Sequence, residues 1–136
     1  MTRAVVVVSA FLWGGNARTI LDAARSQTVT LFTSAALIAE LEDVLSRATF
    51  AQRIAEVGSS VDEMLGDYLA LAQLVRPTAH PPAVVRDPDD DQVIACALAA
   101  EAEVIVSSDD DLLTLGHYRD IDILSVTQML RRLSTT

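Results

Sequence analysis

Two clusters of aspartates are the residues of this sequence whose types and spacing could do chemistry. Four of the five residues 87–91 are aspartates, and so are all three residues 109–111. Carboxylates this close together repel one another and raise each other's pKa unless positive charge lies among them. A divalent cation would supply that charge. Because the clusters offer carboxylates and no thiolates, they favour a hard cation such as Mg²⁺ or Mn²⁺.

Helix capping is the simplest alternative role for these aspartates. Asp90 stands at the start of a predicted helix ending at Ala102, and aspartate is a preferred N-cap residue. Asp111 could cap the helical turn that follows Asp109, and Asp87 forms a common turn pair with the proline after it. A cap needs one acid rather than four, however, and clusters of like charge are typical of functional sites. The metal hypothesis is therefore favoured, with capping as its alternative.

Glu40 is a third candidate acid. At about 100° per residue it lies at the border of the apolar stripe that contains Leu37 and Val44 in a predicted helix. A glutamate at a buried edge needs a partner such as a cation, although a side chain on this flank could equally reach water. Ser107 stands between the second acid cluster and a β-branched run, where its hydroxyl could orient a carboxylate or a water molecule.

Predicted strands and helices alternate along the chain. The strands are expected at residues 4–8, 28–32, 104–106 and 121–124, with helices between them. This alternation indicates an α/β fold with a parallel sheet that is covered on both faces. In such sheets ligands bind beyond the carboxyl ends of the strands, and both aspartate clusters fall near such positions.

Several local signals define the predicted helices. Ser34 is the expected cap of the helix that carries Glu40, and Ser125 with Gln128 forms a capping box before the last helix. Another amphipathic helix is predicted to run from Ser60 through Ala72. Two histidines fall in predicted loops without a second zinc ligand at a suitable spacing, so a zinc site is not predicted (His80 and His117).

The bulk composition limits the class of protein. A chain of 136 residues, 51% of them hydrophobic, is the size of one domain, and a single domain over residues 1–136 is expected. The net charge of −9 argues against a broadly basic nucleic-acid surface, so RNA binding would need local arginines and metal ions. No apolar run approaches the roughly 20 residues that a membrane span requires. Cys96 is the single cysteine, which fits a reducing, cytoplasmic location.

Four segments of the chain resemble PIN domains: residues 8–15, 40–47, 86–90 and 106–113. The similarity is greatest to the bacterial group of toxin components of toxin–antitoxin systems, the relatives of VapC toxins. The resemblance implies a three-layer α/β/α fold with a parallel sheet of about five strands. It also implies a ribonuclease that depends on Mg²⁺ or Mn²⁺, a cognate antitoxin and a homodimer.

The resemblance also assigns roles to individual residues. The acids that would hold the metal and carry catalysis are Glu40, Asp90 and Asp109, with Asp111 as a possible second contributor to the metal. Ser107 matches the threonine or serine of the family. Apart from the resemblance, a supporting role is assigned to Asp87, and Arg18 and Arg86 are hypothesised to contact phosphates.

One acid of the family pattern is missing. The first strand of the family ends in Asp-Thr-Asn shortly before Val-Ser-Ala, whereas here residues 5–8 are valines that run directly into Ser9 and Ala10. Either Arg3 occupies the place of the aspartate or a short deletion has removed it. In both cases no carboxylate precedes Asp22, and metal binding is expected to be weaker as a result.

The leading hypothesis is therefore a metal-dependent ribonuclease of the PIN toxin type, impaired by the loss of the first acid. The first rival is a catalytically inactive PIN domain that binds an antitoxin or another partner. The second rival is an acidic α/β domain in which the aspartates have no role in metal binding. Retention of the other acids favours the enzyme, and the missing aspartate favours the inactive module.

Overall fold

The structure is a computed structural model that describes residues 3–7, 22–45, 52, 66, 68–77, 88–107 and 110–134. For residues 3–7, 44–45, 88–90 and 110 it describes the backbone alone. None of the helices in this described part of the chain has the length and apolarity needed to cross a bilayer.

The described strands form one six-stranded sheet in the order β3-β2-β1-β4-β6-β5. Neighbouring pairs are parallel except β5 and β6, which form an antiparallel hairpin. Five strands are therefore parallel, as expected for an α/β fold, and a two-residue antiparallel strand completes one edge. The strands are β1 (Arg3–Val7), β2 (Val29–Thr33), β3 (Ala72–Leu74), β4 (Val104–Val106), β5 (His117–Tyr118) and β6 (Ile121–Leu124).

The central strands consist largely of β-branched residues. In β4 all three side chains are buried, as in a parallel strand that has helices on both faces. In β2 burial alternates, with Val29 and Leu31 inside. The β-branched residues favour extended backbone because branching at Cβ restricts their side-chain rotamers least in a strand.

Four helices have both ends described: α1 (Ala35–Leu45), α2 (Pro88–Ala100), α3 (Asp110–Leu115) and α4 (Val126–Ser134). Residues 22–25 and 68–71 are also helical. The predicted cap of α1 is confirmed, because the Leu37 N–H donates to the Ser34 Oγ at 3.4 Å. The predicted capping box of α4 is confirmed by two bonds: the Ser125 N–H donates to Gln128 Oε1 at 2.8 Å, and the Gln128 N–H donates to Ser125 Oγ at 3.2 Å.

Two buried clusters lie on opposite faces of the sheet. Side chains alternate along β4, so that Val104 and Val106 join one cluster while Ile105 joins the other. Met129 of α4 packs in the first cluster, and Ile94 of α2 packs in the second. Helices thus cover both faces, and the three-layer α/β/α architecture implied by the resemblance is confirmed.

Two local predictions differ from the structure. Ala72 was expected within a helix, but helical backbone ends at residue 71 and Ala72 begins β3, opposite Leu31 of β2. His117 was expected in a loop, but it begins β5 and pairs with Asp122. In both cases pairing with the neighbouring strand determines the backbone conformation. The pairing provides hydrogen-bond partners for backbone N–H and C=O groups, and this outweighs local propensity.

Candidate active site

Three serines follow the ends of three parallel strands. Ser34 follows β2, Ser107 follows β4 and Ser125 follows β6. Because these strands are parallel members of one sheet, their carboxyl ends define a single edge, here called the carboxyl edge. Ser34 and Ser125 are the caps of α1 and α4, so both helices begin at this edge.

Glu40 lies on α1, in the second turn after the Ser34 cap. Its side chain is half-buried, while Leu37 and Leu41 on either side of it are buried. The predicted position at the border of the apolar stripe is therefore confirmed. Helix α1 packs against α2, so this border lies close to the helix that carries the first aspartate cluster.

Helix α2 runs from Pro88 to Ala100, so it begins and ends two residues earlier than predicted. Asp90 lies inside its first turn, and the alternative in which Asp90 is the N-cap is wrong. Proline suits the first helical position because its fixed φ matches helical backbone. Its lack of an N–H costs nothing there, since that N–H would have no partner within the helix. After α2 the chain reverses and enters β4 at Val104, so the helix runs back across the sheet and begins at the carboxyl edge. Acids in a first turn also interact favourably with the helix dipole.

Ser107 lies just before the second aspartate cluster, and Asp111 is the last residue of that cluster. Ser107 is fully buried at the end of β4, and its N–H donates to the Leu124 carbonyl at 2.9 Å. Asp111 is exposed in α3, whereas its neighbour Leu112 is fully buried and anchors the helix to the core. Four predicted site residues lie outside the described residues: Arg18, Arg86, Asp87 and Asp109.

The first strand carries no acid. Strand β1 pairs Arg3 with Val29 and Val7 with Val106, so Arg3 stands at the amino edge and Val7 at the carboxyl edge. At about 3.3 Å per residue, roughly 13 Å separates these two positions. Arg3 is therefore at the edge opposite to the predicted acids, and the residue beside the end of β4 is a valine.

The described residues do not complete a metal site by themselves. Among them, no group of three or more His, Cys, Asp or Glu side chains is close enough to hold an ion. The described oxygen donors among the predicted site residues are Glu40, Ser107 and Asp111, a set whose chemistry suits a hard cation. The remaining predicted ligands are Asp90, of which only the backbone is described, and Asp109.

A buried polar cluster that sequence reasoning missed lies at the end of β2. Thr33, Ser34, Tyr68 and Cys96 are each at most 3% exposed. Burial raises the pKa of Tyr68 to about 12, partly opposed by the Thr33 hydroxyl and aided by Cys96. Burial also raises the pKa of Cys96 to about 11, partly opposed by a hydrogen bond with Ser34. No signal in the sequence brings these residues together, because they come from three separate segments: Thr33–Ser34, Tyr68 and Cys96.

Thr33 has an unusual place in this cluster. Its hydroxyl lies near enough to the Tyr68 phenol to affect the phenol's pKa, yet no hydrogen bond of regular geometry reaches Thr33 Oγ1 within the described residues. A buried hydroxyl without a good partner costs free energy. The two observations together describe a close but poorly aligned contact.

Comparison with known proteins agrees with this architecture. Residues 4–111 match the family model of the PIN domain, which is most of the chain. The crystal structure of PAE2754 from Pyrobaculum aerophilum is similar, with a TM-score of 0.63 and 15% sequence identity over 98% of this chain and 91% of that chain. This structural similarity shows the fold alone. No curated protein has a sequence that matches this chain. From the extent of the family match, the chain belongs to the PIN domain family.

Proposed function

We propose that this protein is a divalent-metal-dependent ribonuclease of the PIN toxin type, which hydrolyses RNA phosphodiester bonds. PIN domains are in general nuclease folds, and this chain belongs to that family. The observation that carries the proposal is that three segments with predicted site residues all begin at the carboxyl edge. These segments are α1 with Glu40, α2 with Asp90, and the Ser107-to-α3 segment with Asp111.

The proposed roles follow from the chemistry of these side chains. Glu40, Asp90 and Asp109 would hold Mg²⁺ or Mn²⁺, with Asp111 as a further contributor. When bound, such an ion activates water and stabilises the charge that develops on the phosphate. The buried Ser107 hydroxyl would orient a neighbouring carboxylate, and Asp87 would support the start of α2. Phosphate contacts are assigned to Arg18 and Arg86.

The missing acid on β1 predicts weakened metal binding. In this proposal the other carboxylates must hold the ion without a central charge beside β4, where Val7 now stands. We further propose a cytoplasmic location, a homodimer and a cognate antitoxin, as the resemblance to toxin components implies. The single buried cysteine fits a reducing compartment.

A second candidate function is a catalytically inactive PIN domain that binds an antitoxin or another protein. The observation that favours it is the wholly acid-free β1, because that strand lies at the centre of the sheet and its end is level with the proposed site. Such a module would keep the fold while losing the metal.

Cleavage of RNA by purified protein in Mg²⁺ or Mn²⁺ separates these candidates. The wild type is compared with a repaired variant in which Asp-Thr-Asn is inserted between Val6 and Val7. Because Val6 pairs with Ile105, the inserted aspartate would stand level with Val106, next to Ser107. The matched control inserts Asn-Thr-Asn at the same place, which keeps the length and removes the charge.

The expected result is strong cleavage by the repaired variant, weak cleavage by the wild type and inhibition of both by EDTA. Asp109→Asn should abolish the activity of the repaired variant. Asp120→Asn, which removes an exposed carboxylate in the turn between β5 and β6, should leave it unchanged. If neither the wild type nor the repaired variant cuts RNA, the ribonuclease proposal is wrong and the binding module is favoured. If the repaired variant cuts RNA equally well with Asn-Thr-Asn, the role given to the missing acid is wrong.

A further inference from the structure

An open cavity of about 590 Å³ lies beside the carboxyl half of β6. It exists because β5 is shorter than β6. His117 pairs with Asp122 and Tyr118 with Ile121, but β5 provides no partner for Ile123 or Leu124. In place of a strand residue, the Gly116 carbonyl accepts the Ile123 N–H at 2.9 Å, and the space beyond this bond is left open.

The cavity has an apolar side and a polar side. Leu113 of α3, together with Ile123 and Leu124 of β6, supplies the apolar side. The polar side comes from the first turns of α4 and includes Ser125, Thr127, Gln128 and Arg131. A surface that joins an apolar wall to hydroxyl, amide and guanidinium groups suits a flat, partly polar ligand that carries negative charge.

Arg131 supplies the positive charge of the cavity. Among the described residues no carboxylate forms an ion pair with it, whereas the next residue, Arg132, pairs with Asp122 at 3.1 Å. Side chains on a helix lean towards its N-terminus, so Arg131 extends back towards the carboxyl edge. In a protein of net charge −9, an arginine at this edge that forms no ion pair with the described carboxylates is well suited to an anionic ligand.

The cavity adjoins the proposed active site. The Leu124 carbonyl at its wall accepts the Ser107 N–H at 2.9 Å, and adjacent strands are about 4.8 Å apart. Leu113 in its apolar wall belongs to α3, the helix that also carries Asp111, although two residues apart on a helix they face different directions. A ligand that occupied the cavity could therefore continue directly to the proposed catalytic acids.

We propose that this cavity binds one nucleotide of the RNA substrate, next to the phosphate that is cleaved. The inference rests on the proposed function and specifies a substrate subsite for it. The base lies against Leu113 beside β6, its polar edge or the ribose 2′-hydroxyl meets Gln128 and Thr127, and Arg131 contacts a phosphate. Single-stranded RNA is recognised in this way, through stacking or apolar contact with bases and hydrogen bonds to their edges and to the 2′-hydroxyl.

Binding of a fluorescein-labelled single-stranded RNA in EDTA tests the subsite without cleavage. Arg131→Gln should weaken binding about tenfold and reduce the dependence of log K on log salt by about 0.7. Arg132→Gln is the matched control: it makes the same change of charge at the next residue, but its guanidinium already pairs with Asp122. We expect it to change affinity less than twofold.

A second variant tests the cavity rather than the charge. Thr127 is exposed in the first turn of α4, so Thr127→Trp should fold and fill the space without altering net charge. It should weaken RNA binding and, in the repaired variant with Asp-Thr-Asn inserted, raise KM while kcat changes little. Circular dichroism would confirm that both variants are folded.

The outcomes separate the two proposals. If the repaired variant cuts RNA but Arg131→Gln and Thr127→Trp bind RNA as the wild type does, the subsite is wrong and the ribonuclease proposal stands. If no version cuts RNA but Arg131→Gln and Thr127→Trp weaken RNA binding while Arg132→Gln does not, the cavity binds a nucleotide of RNA and the ribonuclease proposal is wrong. If the wild type binds no RNA, the subsite is overturned.

Discussion

The backbone N–H of Ser107 donates a 2.9 Å hydrogen bond to the carbonyl of Leu124, which joins the ends of β4 and β6. Ser107 leads into the second aspartate cluster, and Leu124 leads into the cap of α4 and the wall of the cavity. The position of α4 is therefore tied to that of the proposed site by the paired strands β4 and β6, and this bond lies at the end of their ladder. Substitutions of the residues that fix the start of α4 should therefore change stability measurably.

The capping box of α4 should contribute measurably to stability. Ser125→Ala and Gln128→Ala each remove one of two reciprocal bonds, and a lost cap typically costs about 1 kcal/mol of unfolding free energy. Because the bonds are reciprocal, the double variant should cost less than the sum of the single variants. Urea denaturation of the four proteins measures this coupling. Strict additivity would show that the two bonds act independently.

Two glycines should respond to alanine in opposite directions. Gly116 has φ +77°, a left-handed conformation in which an L-residue is strained, so Gly116→Ala should destabilise the fold by about 1 kcal/mol although a Cβ meets nothing within 4 Å. Gly66 is helical, exposed and equally open, so Gly66→Ala should stabilise by about 0.5–1 kcal/mol. Thermal unfolding of both variants gives the comparison. Equal effects would contradict the backbone argument.

Stability should fall at alkaline pH because two buried groups have raised pKa values. The folded protein holds the Cys96 proton up to a pKa of about 11 and the Tyr68 proton up to about 12, whereas the unfolded chain releases them near 9 and 10. The stabilisation is complete below pH 9 and is lost as pH rises through 9–11 for Cys96 and 10–12 for Tyr68.

The measurement for this prediction is urea unfolding at pH 8, 10 and 11. Tyr68→Phe should flatten the decline above pH 10, and Cys96→Ala should flatten it from pH 9, whatever their effects on stability at pH 8. The native thiol should also react with a thiol reagent at pH 8 far more slowly than the thiol in urea, because a buried, protonated thiol is unreactive. Rapid labelling of the folded protein would contradict the assigned burial.

The ion pair between Asp122 and Arg132 should matter little. Their charged atoms are 3.1 Å apart, but the side chains are 51% and 35% exposed, so solvent and salt screen the interaction. A double-mutant cycle with Asp122→Asn and Arg132→Gln should give a coupling energy below about 1 kcal/mol that decreases in 0.5 M salt. A large coupling that salt does not affect would show a stronger link between β6 and α4 than this exposure implies.

Local chemistry was enough to predict the strongest elements of the fold. The burial of all three residues of β4, the Ser34 cap and the Ser125–Gln128 box were all expected from neighbouring residues. These features depend on interactions within a few residues or on strong hydrophobicity, which a sequence displays directly.

Strands β3 and β5 show where local reasoning fails. Ala72 continued the apolar spacing of a helix, but pairing with Leu31 of β2 places it in a strand. His117 pairs with Asp122 only because a two-residue turn folds the chain back on itself, with Arg119 at φ 54°. An arginine in a left-handed conformation is uncommon, so propensity alone does not indicate this hairpin.

For the candidate site, the sequence by itself determined which acids exist and that the first strand has none, because residue types do not depend on folding. The PIN family assignment likewise follows from the sequence. The tertiary structure decided that Arg3 lies at the amino edge. It also decided that the helix with Glu40 and helix α2 both begin at the carboxyl edge, where Ser107 lies. It also decided the cavity beside β6 and the cluster of Tyr68 with Cys96. Strand order and register create these relationships between distant residues, and no local pattern encodes them.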